Sequence, residues 1–168
     1  MKIKLRRKQN SRMNEVAFKT FLIESFTPDI ALSLTMKQVL KHENGNIEFL
    51  NPQSASQNAK HFLNILNREV HGNIGVRIGK KLKVITTIEG SWTEEKRYHL
   101  HMAIKYPEEI AMNEISKVRF RNQVQSCWLR TRWGYHEYDI QDIYDWKGWL
   151  NYISKEGTDS VDFNNCHW

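Results

Sequence analysis

The sequence predicts an α+β domain in which helices pack on an antiparallel sheet. Its 168 residues are enough for one ordinary domain with a substantial core. Stretches with strand and helix periodicity follow one another in the order strand, helix, two strands, helix, strand, helix. Two of the predicted strands are joined by a short polar connection, which favours antiparallel pairing. Together these observations indicate an antiparallel sheet with helices packed on it.

The first half of the chain supplies one strand and one long helix. Residues 1–27 are predicted to form a basic N-terminal extension, with a helix near 13–25. Residues 29–36, DIALSLTM, alternate in the manner of a strand, and HENGN at 42–46 predicts a turn. Residues 51–70 predict a helix with a capping serine near its start. Its apolar face comprises Ala59, Phe62, Leu63, Leu66 and Val70.

The second half supplies the remaining strands and helices. Residues 81–90 are rich in β-forming side chains, and Gly90 with SWTEEK predicts a hairpin connection to a strand over 97–106. Pro107, followed by two glutamates, opens a predicted helix that runs roughly to Arg130. YHEYDIQDIY predicts another strand. The stretch DWKGWLNYISKEG predicts a short helix that Gly157 ends.

The composition describes a globular chain with a basic excess. The formal net charge is +6 and the pI is about 9.3, and six tryptophans and six tyrosines accompany this charge. Phosphate-rich partners and base stacking are therefore slightly favoured over simple solubility. Cys127 and Cys166 are too few for a disulfide framework or a four-cysteine zinc site. The start, MKIKLRRKQNSR, is either an arm on nucleic acid or a solvated tail. No secretory signal and no membrane span are expected.

A pair of histidines lies in RYHLHMAI, residues 97–104. Because strand residues two apart face the same way, His99 and His101 share one face, and Tyr98, Leu100 and Met102 take the core face. Two neutral imidazoles this close can ligate one divalent metal ion. In isolation, however, an H-x-H pattern more often belongs to two ordinary histidines on a half-exposed strand.

Glu89 strengthens the metal hypothesis. If residues 81–90 pair with the histidine strand, Glu89 comes opposite the histidines. One carboxylate with two imidazoles is a mixed site, for which we expect Mg²⁺ or Mn²⁺ in phosphate chemistry. The alternative is a structural carboxylate at the edge of the hairpin. Glu94 and Glu95, in the connection, are weaker candidates for the third ligand.

The candidate nucleophile is Tyr152 in YISKEG, residues 152–157. On a helix Tyr152 and Lys155 lie on one face, and a cation beside a phenol favours the phenolate and can bind a phosphate oxygen. The pattern Y-x-x-K is common and also fits a tyrosine on the core beside a solvated lysine. Tyr144, with Lys147 at the same spacing, is the second candidate. We expect it to serve packing or DNA contact.

Three stretches resemble the motifs of HUH endonucleases. YHLHMAI places two histidines around a hydrophobic residue, and YISKEG is similar to the tyrosine motif of single-tyrosine replication initiators of plasmids and circular single-stranded DNA viruses. IALSLTM resembles the family's first motif, and the three occur in the family's order. The resemblance covers about residues 28–157. It implies a nuclease domain over 28–168, built on a five-stranded antiparallel sheet of the ferredoxin-like type.

The resemblance also implies an activity. Such an enzyme nicks single-stranded origin DNA, or an origin hairpin, and so initiates rolling-circle replication. Tyr152 would attack a phosphodiester and leave a 5′-phosphotyrosine link and a free 3′-OH. Lys155 would position the tyrosine or the phosphate. His99 and His101, with Glu89 as third ligand, would hold Mg²⁺ or Mn²⁺.

A basic and aromatic patch on and after the long helix is a candidate DNA contact. It comprises Lys117, Arg119, Arg121, Arg130 and Arg132, with Trp128 and Trp133. Such a set can track a single strand. It also fits a solvated helix face whose tryptophans belong to the core.

Several alternatives stay open. GVRIGKK lacks the spacing of a phosphate-binding loop, so either a separate helicase acts with the chain or the chain is an endonuclease part only. The expected location is the bacterial cytoplasm, or the host nucleus for a virus of eukaryotes. Two other functions fit the sequence: a non-cleaving DNA-binding regulator, which would form no covalent adduct, and a metal-dependent phosphodiesterase using water, which would survive Tyr152→Phe.

Overall fold

The computed structural model of the chain describes residues 15–91 and 97–168. The basic start and most of the SWTEEK connection, with Glu94 and Glu95, lie outside the described residues. In chain order the elements are α1 (15–25), β1 (Ile30–Met36), β2 (Val39–Lys41), β3 (Ile47–Phe49), α2 (Pro52–Arg77), β4 (Val84–Glu89), β5 (His99–Ile104), α3 (Glu108–Ala111), α4 (Glu114–Leu129), β6 (Gly134–Asp142) and α5 (Trp146–Ile153). Two short 3-10 helices, Gly157–Ser160 and Phe163–Asn165, follow α5.

The main sheet has four strands in the order β4-β5-β1-β6, and every neighbouring pair is antiparallel. The α+β class with an antiparallel sheet and flanking helices is therefore confirmed. The expected count of five strands is wrong. β2 and β3, three residues each, pair with one another in a separate hairpin instead of extending the main sheet.

The two faces of the main sheet carry different side chains. One face packs against α2 and α4 in the larger core, whose members include Leu32, Leu34, Phe62, Leu100, Met102 and Trp128. The other face meets α1, α5 and the C-terminal segment (residues 157–168) in a smaller core, whose members include Leu22, Phe26, Ile85, Ala103, Leu150 and Ile153. Because side chains alternate along each strand, the second face is also the one that carries His99 and His101. The smaller core thus holds α5 on the histidine face.

The helices differ from their predicted bounds for local reasons. Asn51, not a serine, caps α2, and this helix continues past residue 70 across a kink at Gly72, where φ is 66°. The helix predicted over 107–130 is interrupted, since Asn113 accepts hydrogen bonds from two backbone N–H groups and begins α4. The helix expected near the N-terminus is confirmed over 15–25. Among the described residues, no helix combines the length and the apolar character needed to cross a membrane.

Candidate metal centre and nucleophile

Strand register brings the predicted metal ligands together. β4 and β5 pair so that Glu89 lies directly opposite His99. On the other side of β5, Ser33 of β1 lies directly opposite His101. The hairpin pairing inferred from the sequence is therefore confirmed. It places one carboxylate and two imidazoles on the same face of the sheet.

The three side chains form a compact, mostly buried cluster. Their ligand atoms all lie within 4.8 Å of one another. Nε2 of His99 lies 3.1 Å from Nε2 of His101, and Oε2 of Glu89 lies 3.7 Å and 3.9 Å from these two nitrogens. The side chain of Glu89 is only 1% exposed, and that of His99 is 23% exposed. A cation entering the cluster would therefore meet preformed ligands and little competing water.

Two observations show that these residues fit a divalent metal ion. Nδ1 of His99 lies 2.8 Å from the carbonyl oxygen of Arg97, which can only accept, so Nδ1 carries the proton and Nε2 offers its lone pair to the cluster. Oε1 of Glu89 is buried and has no hydrogen-bond partner among the described residues. A buried oxygen without a partner destabilises the folded state unless a cation or a hydrogen-bond donor contacts it. A possible metal-binding cluster is therefore present, and the structure does not indicate which metal it would take.

Lys155 joins this cluster from beyond the end of α5. Its Nζ donates to Oε2 of Glu89 at 2.7 Å. Burial alone lowers the pKa of Lys155, but the hydrogen bond and charge of Glu89 outweigh it and raise the pKa above the ordinary lysine value. The ammonium therefore stays charged. It also lies 4.1 Å from the centre of the Tyr152 ring.

Tyr152 lies against the histidine side of the cluster. Its ring centre is 5.2 Å from that of His101, in an edge-to-face arrangement, and its other neighbour is the stacked ring of Trp149 at 5.4 Å. Tyr152 is 47% exposed, so its ring is held on one side and open to solvent on the other. Tyr144 is 98% exposed. The structure thus brings Tyr152, and not Tyr144, into contact with the Glu89, His99 and His101 cluster.

A groove of about 440 Å³ opens beside this tyrosine. Its lining comes from β1, β6, α5 and the loop between the last two elements: Ala31, Ser33, Asp139, Gln141, Asp142, Ile143, Tyr144, Asp145, Gly148, Trp149 and Tyr152. The groove therefore runs along the same face of the sheet as the cluster, and both candidate tyrosines border it.

The basic patch predicted on α4 lies elsewhere. α4 packs on the opposite face of the sheet, where Trp128 and Trp133 are buried in the larger core. The ion pairs of the patch are Lys117–Glu114, Arg121–Asp142, Arg130–Glu69 and Arg132–Glu48. Arg119 is exposed. Nucleic-acid contact by these five cations stays a prediction, and it concerns a surface apart from the cluster.

Sequence reasoning missed two residues of the site. The hydroxyl of Ser33 forms a hydrogen bond of 2.9 Å with Nδ1 of His101, and Trp149 stacks on Tyr152. Trp149 could have been found, because it precedes Tyr152 by three residues on the same helix. Ser33 could not, because β1 and β5 are far apart in the chain and nothing local fixes their register.

Comparison of this chain with protein-family models, with curated proteins and with solved structures finds no match. The function must consequently be inferred from the residues of the site and from the resemblance of the sequence motifs.

Proposed function

We propose that this chain is a metal-dependent endonuclease that nicks and rejoins single-stranded DNA at an origin, with Tyr152 as the nucleophile. The observation that carries the proposal is the contact of Tyr152 and Lys155 with the Glu89, His99 and His101 cluster. A phenol, a charged amine and a set of metal ligands are the groups that phosphodiester transfer to tyrosine requires. The resemblance of the histidine and tyrosine motifs to those of HUH replication initiators supports the same activity.

Glu89, His99 and His101 would hold Mg²⁺ or Mn²⁺ in this enzyme. When bound, the ion supplies Lewis-acid chemistry, which polarises the scissile phosphate and offsets negative charge on the departing 3′ oxygen. The chain's own residues prepare for it. The carbonyl of Arg97 orients His99, and Lys155 holds the carboxylate of Glu89 within the cluster.

Tyr152 carries the covalent step. Its phenolic oxygen forms a bond to phosphorus and releases its proton to solvent, while the bond from phosphorus to the 3′ oxygen breaks. The 3′ oxygen keeps the electron pair, takes a proton and becomes a free 3′-OH. Because one phosphodiester replaces another, a later 3′-OH can reverse the reaction and rejoin the strand. The ammonium of Lys155 favours the phenolate throughout.

The test compares wild type, Tyr152→Phe and Tyr144→Phe on single-stranded origin DNA labelled at its 3′ end, with Mn²⁺ present. We expect wild type and Tyr144→Phe to form a covalent adduct that survives denaturing electrophoresis. Tyr152→Phe removes one oxygen at a half-exposed position, so it should bind DNA within a few-fold of wild type yet neither cut nor form the adduct. Mass spectrometry of the adduct peptide identifies the linked tyrosine.

Other outcomes of the same experiment would replace the proposal. Nucleotide attached to Tyr144 would reassign the nucleophile. Cleavage by Tyr152→Phe without any adduct would indicate a phosphodiesterase in which water attacks. DNA binding by wild type with neither cleavage nor adduct would indicate a non-cleaving regulator. Sequence-specific initiation of rolling-circle replication, and any partnership with a separate helicase, follow only if the adduct forms.

A further inference from the structure

The two histidines of the cluster have different partners at their outer nitrogens. Nδ1 of His99 faces the carbonyl oxygen of Arg97 at 2.8 Å, and a carbonyl can only accept. Nδ1 of His101 faces the hydroxyl of Ser33 at 2.9 Å, and a hydroxyl can donate or accept. The first contact fixes one tautomer of a neutral imidazole. The second contact is compatible with both tautomers.

The short distance between the inner nitrogens sets the tautomer of His101. With its proton on Nδ1, neutral His99 presents a lone pair at Nε2, 3.1 Å from Nε2 of His101. In a neutral pair with no cation between the rings, His101 must place its proton on Nε2 to avoid two opposed lone pairs. Nδ1 of His101 then accepts, and Ser33 donates its hydroxyl proton to it.

Metal ligation demands the opposite arrangement at His101. For both Nε2 atoms to face a cation with their lone pairs, the proton of neutral His101 must reside on Nδ1. Ser33 must then accept that N–H, and its own hydroxyl proton turns away. Ser33 also lines the groove and is only half-buried, so its hydroxyl can donate a hydrogen bond to water instead. The exchange changes neither the net charge nor the number of protons in the cluster.

We propose that Ser33 is a positioning residue that lets His101 exchange tautomers when a divalent metal ion binds. This inference rests on the metal site of the proposed function, and it concerns binding of the ion rather than the nuclease reaction. Ser33 does not ligate the ion in this role. It acts through His101, and loss of such a partner typically weakens metal affinity by about 10–100-fold.

A matched set of variants tests the role of the hydroxyl. Ser33→Thr retains the hydroxyl. Ser33→Val introduces a side chain with the shape of threonine but without a hydroxyl. We expect Ser33→Thr to bind Mn²⁺ within a few-fold of wild type and Ser33→Val to bind it about 10–100-fold more weakly, as measured by electron paramagnetic resonance of the free ion without DNA. Thr35→Ala is the control, because Thr35 lies opposite His99 on the same face of β1 and should not change the affinity.

The tautomer itself is visible in long-range ¹H–¹⁵N spectra of the histidine rings. We expect His101 in wild type to carry its proton on Nε2 before Mg²⁺ is added and on Nδ1 afterwards, while His99 keeps its proton on Nδ1 throughout. A proton that stays on one nitrogen of His101 would overturn the exchange. Equal Mn²⁺ affinity of folded Ser33→Thr and Ser33→Val would overturn the role of Ser33.

These outcomes separate the inference from the proposed function. Metal binding with the predicted tautomer exchange, but without DNA cleavage, would support the inference and count against the nuclease. Cleavage with a Ser33→Val affinity equal to wild type would do the reverse. Absence of metal binding by wild type would overturn both.

Discussion

Glu89 is the residue of the site whose burial most requires compensating positive charge. Its carboxylate is almost fully buried, one oxygen receives Lys155, and the other has no hydrogen-bond partner among the described residues. A buried carboxylate tolerates this only with compensating positive charge. Lys155 supplies part of that charge, and the half-satisfied carboxylate explains why a second cation is expected there.

Glu89→Gln tests this argument with little change of shape. At a concentration about 100-fold above its Kd, a bound ion stabilises the folded state by about 2.7 kcal/mol. For a chain of this size that corresponds to a rise in Tm of roughly 5–10 °C. We expect Mn²⁺ to produce such a rise in wild type and almost none in Glu89→Gln. Thermal melts with Mn²⁺ and with a chelator measure both, and an equal rise in the variant would remove Glu89 from the site.

Lys155→Ala should slow cleavage without abolishing it. The ammonium lies over the Tyr152 ring, where it would stabilise charge during the proposed reaction, and a preorganised group of this kind is typically worth about 10²–10³ in rate. DNA binding should stay within a few-fold of wild type. Single-turnover kinetics at saturating protein distinguish the two effects. A variant that loses affinity but cuts at the wild-type rate would show that Lys155 only binds substrate.

At the scale of elements, the sequence predicts what is local. The alternation of β1, the apolar face of α2 and the shared face of the histidines are all written in residues a few positions apart, and the structure confirms them. Even Glu89 could be predicted, because a short connection joins β4 to β5. What could not be predicted is long-range: the central place of β1, the contact of Ser33 with His101, and the packing of α5 against the cluster. The interrupted helix was missed because Asn113 caps α4 within an otherwise helical stretch.

The C-terminal segment is an element whose role the sequence concealed. It covers the outer edge of β4 through bridges from His167 to Val84 and from Val161 to Thr87. Between them, Sγ of Cys166 lies 3.3 Å from the backbone nitrogen of Thr86, which donates to it. Covering an edge strand in this way prevents pairing with another chain. Cys166 is thus buried against the sheet.

The reactivity of Cys127 and Cys166 measures how well the fold shields each thiol from solvent. Burial raises the pKa of Cys166 to about 11, and burial likewise raises the pKa of Cys127 to about 11. Both thiols should therefore resist alkylation at neutral pH. Between the ordinary thiol pKa of about 9 and the raised value of about 11, the thiols ionise in the unfolded chain but not in the folded one. The free energy of unfolding should therefore fall as the pH rises from about 9 to about 11. Denaturant melts across this range measure the fall, and a rise in stability would contradict it.

Alkylation at neutral pH should also distinguish the two sites. Cys166 needs only the C-terminal segment to open, whereas Cys127 lies in the larger core beneath α4. We expect iodoacetamide to modify Cys166 first, as measured by mass spectrometry of the peptides over time. Simultaneous modification of both would show that the segment opens only when the whole domain unfolds.

At the scale of the whole molecule, the cations predicted to contact DNA and the Glu89, His99 and His101 cluster belong to different parts of the fold. The chain carries a net charge of +6, but four of the five cations predicted to contact DNA form ion pairs. These cations lie on α4 or just after it, and α4 packs on the face of the sheet opposite the cluster. Surface pairs of this kind are weak, so phosphates can compete for the same side chains. In the proposed nuclease, electrostatic attraction would hold nucleic acid near the protein, while the groove beside Tyr152 would select the form that is cut.

This division predicts a preference for unpaired DNA. The groove of about 440 Å³ has room for only part of one strand, and a strand would have to bend to bring a phosphate between a helix-borne phenol and a sheet-borne cluster. A linear duplex resists that bend, because its bases are paired and stacked. We expect single strands and extruded hairpins to be cut much faster than a linear duplex of the same sequence.

The control is the double variant His99→Ala with His101→Ala. It should not cut DNA, but it should keep most of its steeply salt-dependent binding, which depends on lysines and arginines. Equal cleavage of duplex and single strand by wild type would show that the groove does not select the substrate, and would place the reacting phosphate outside it.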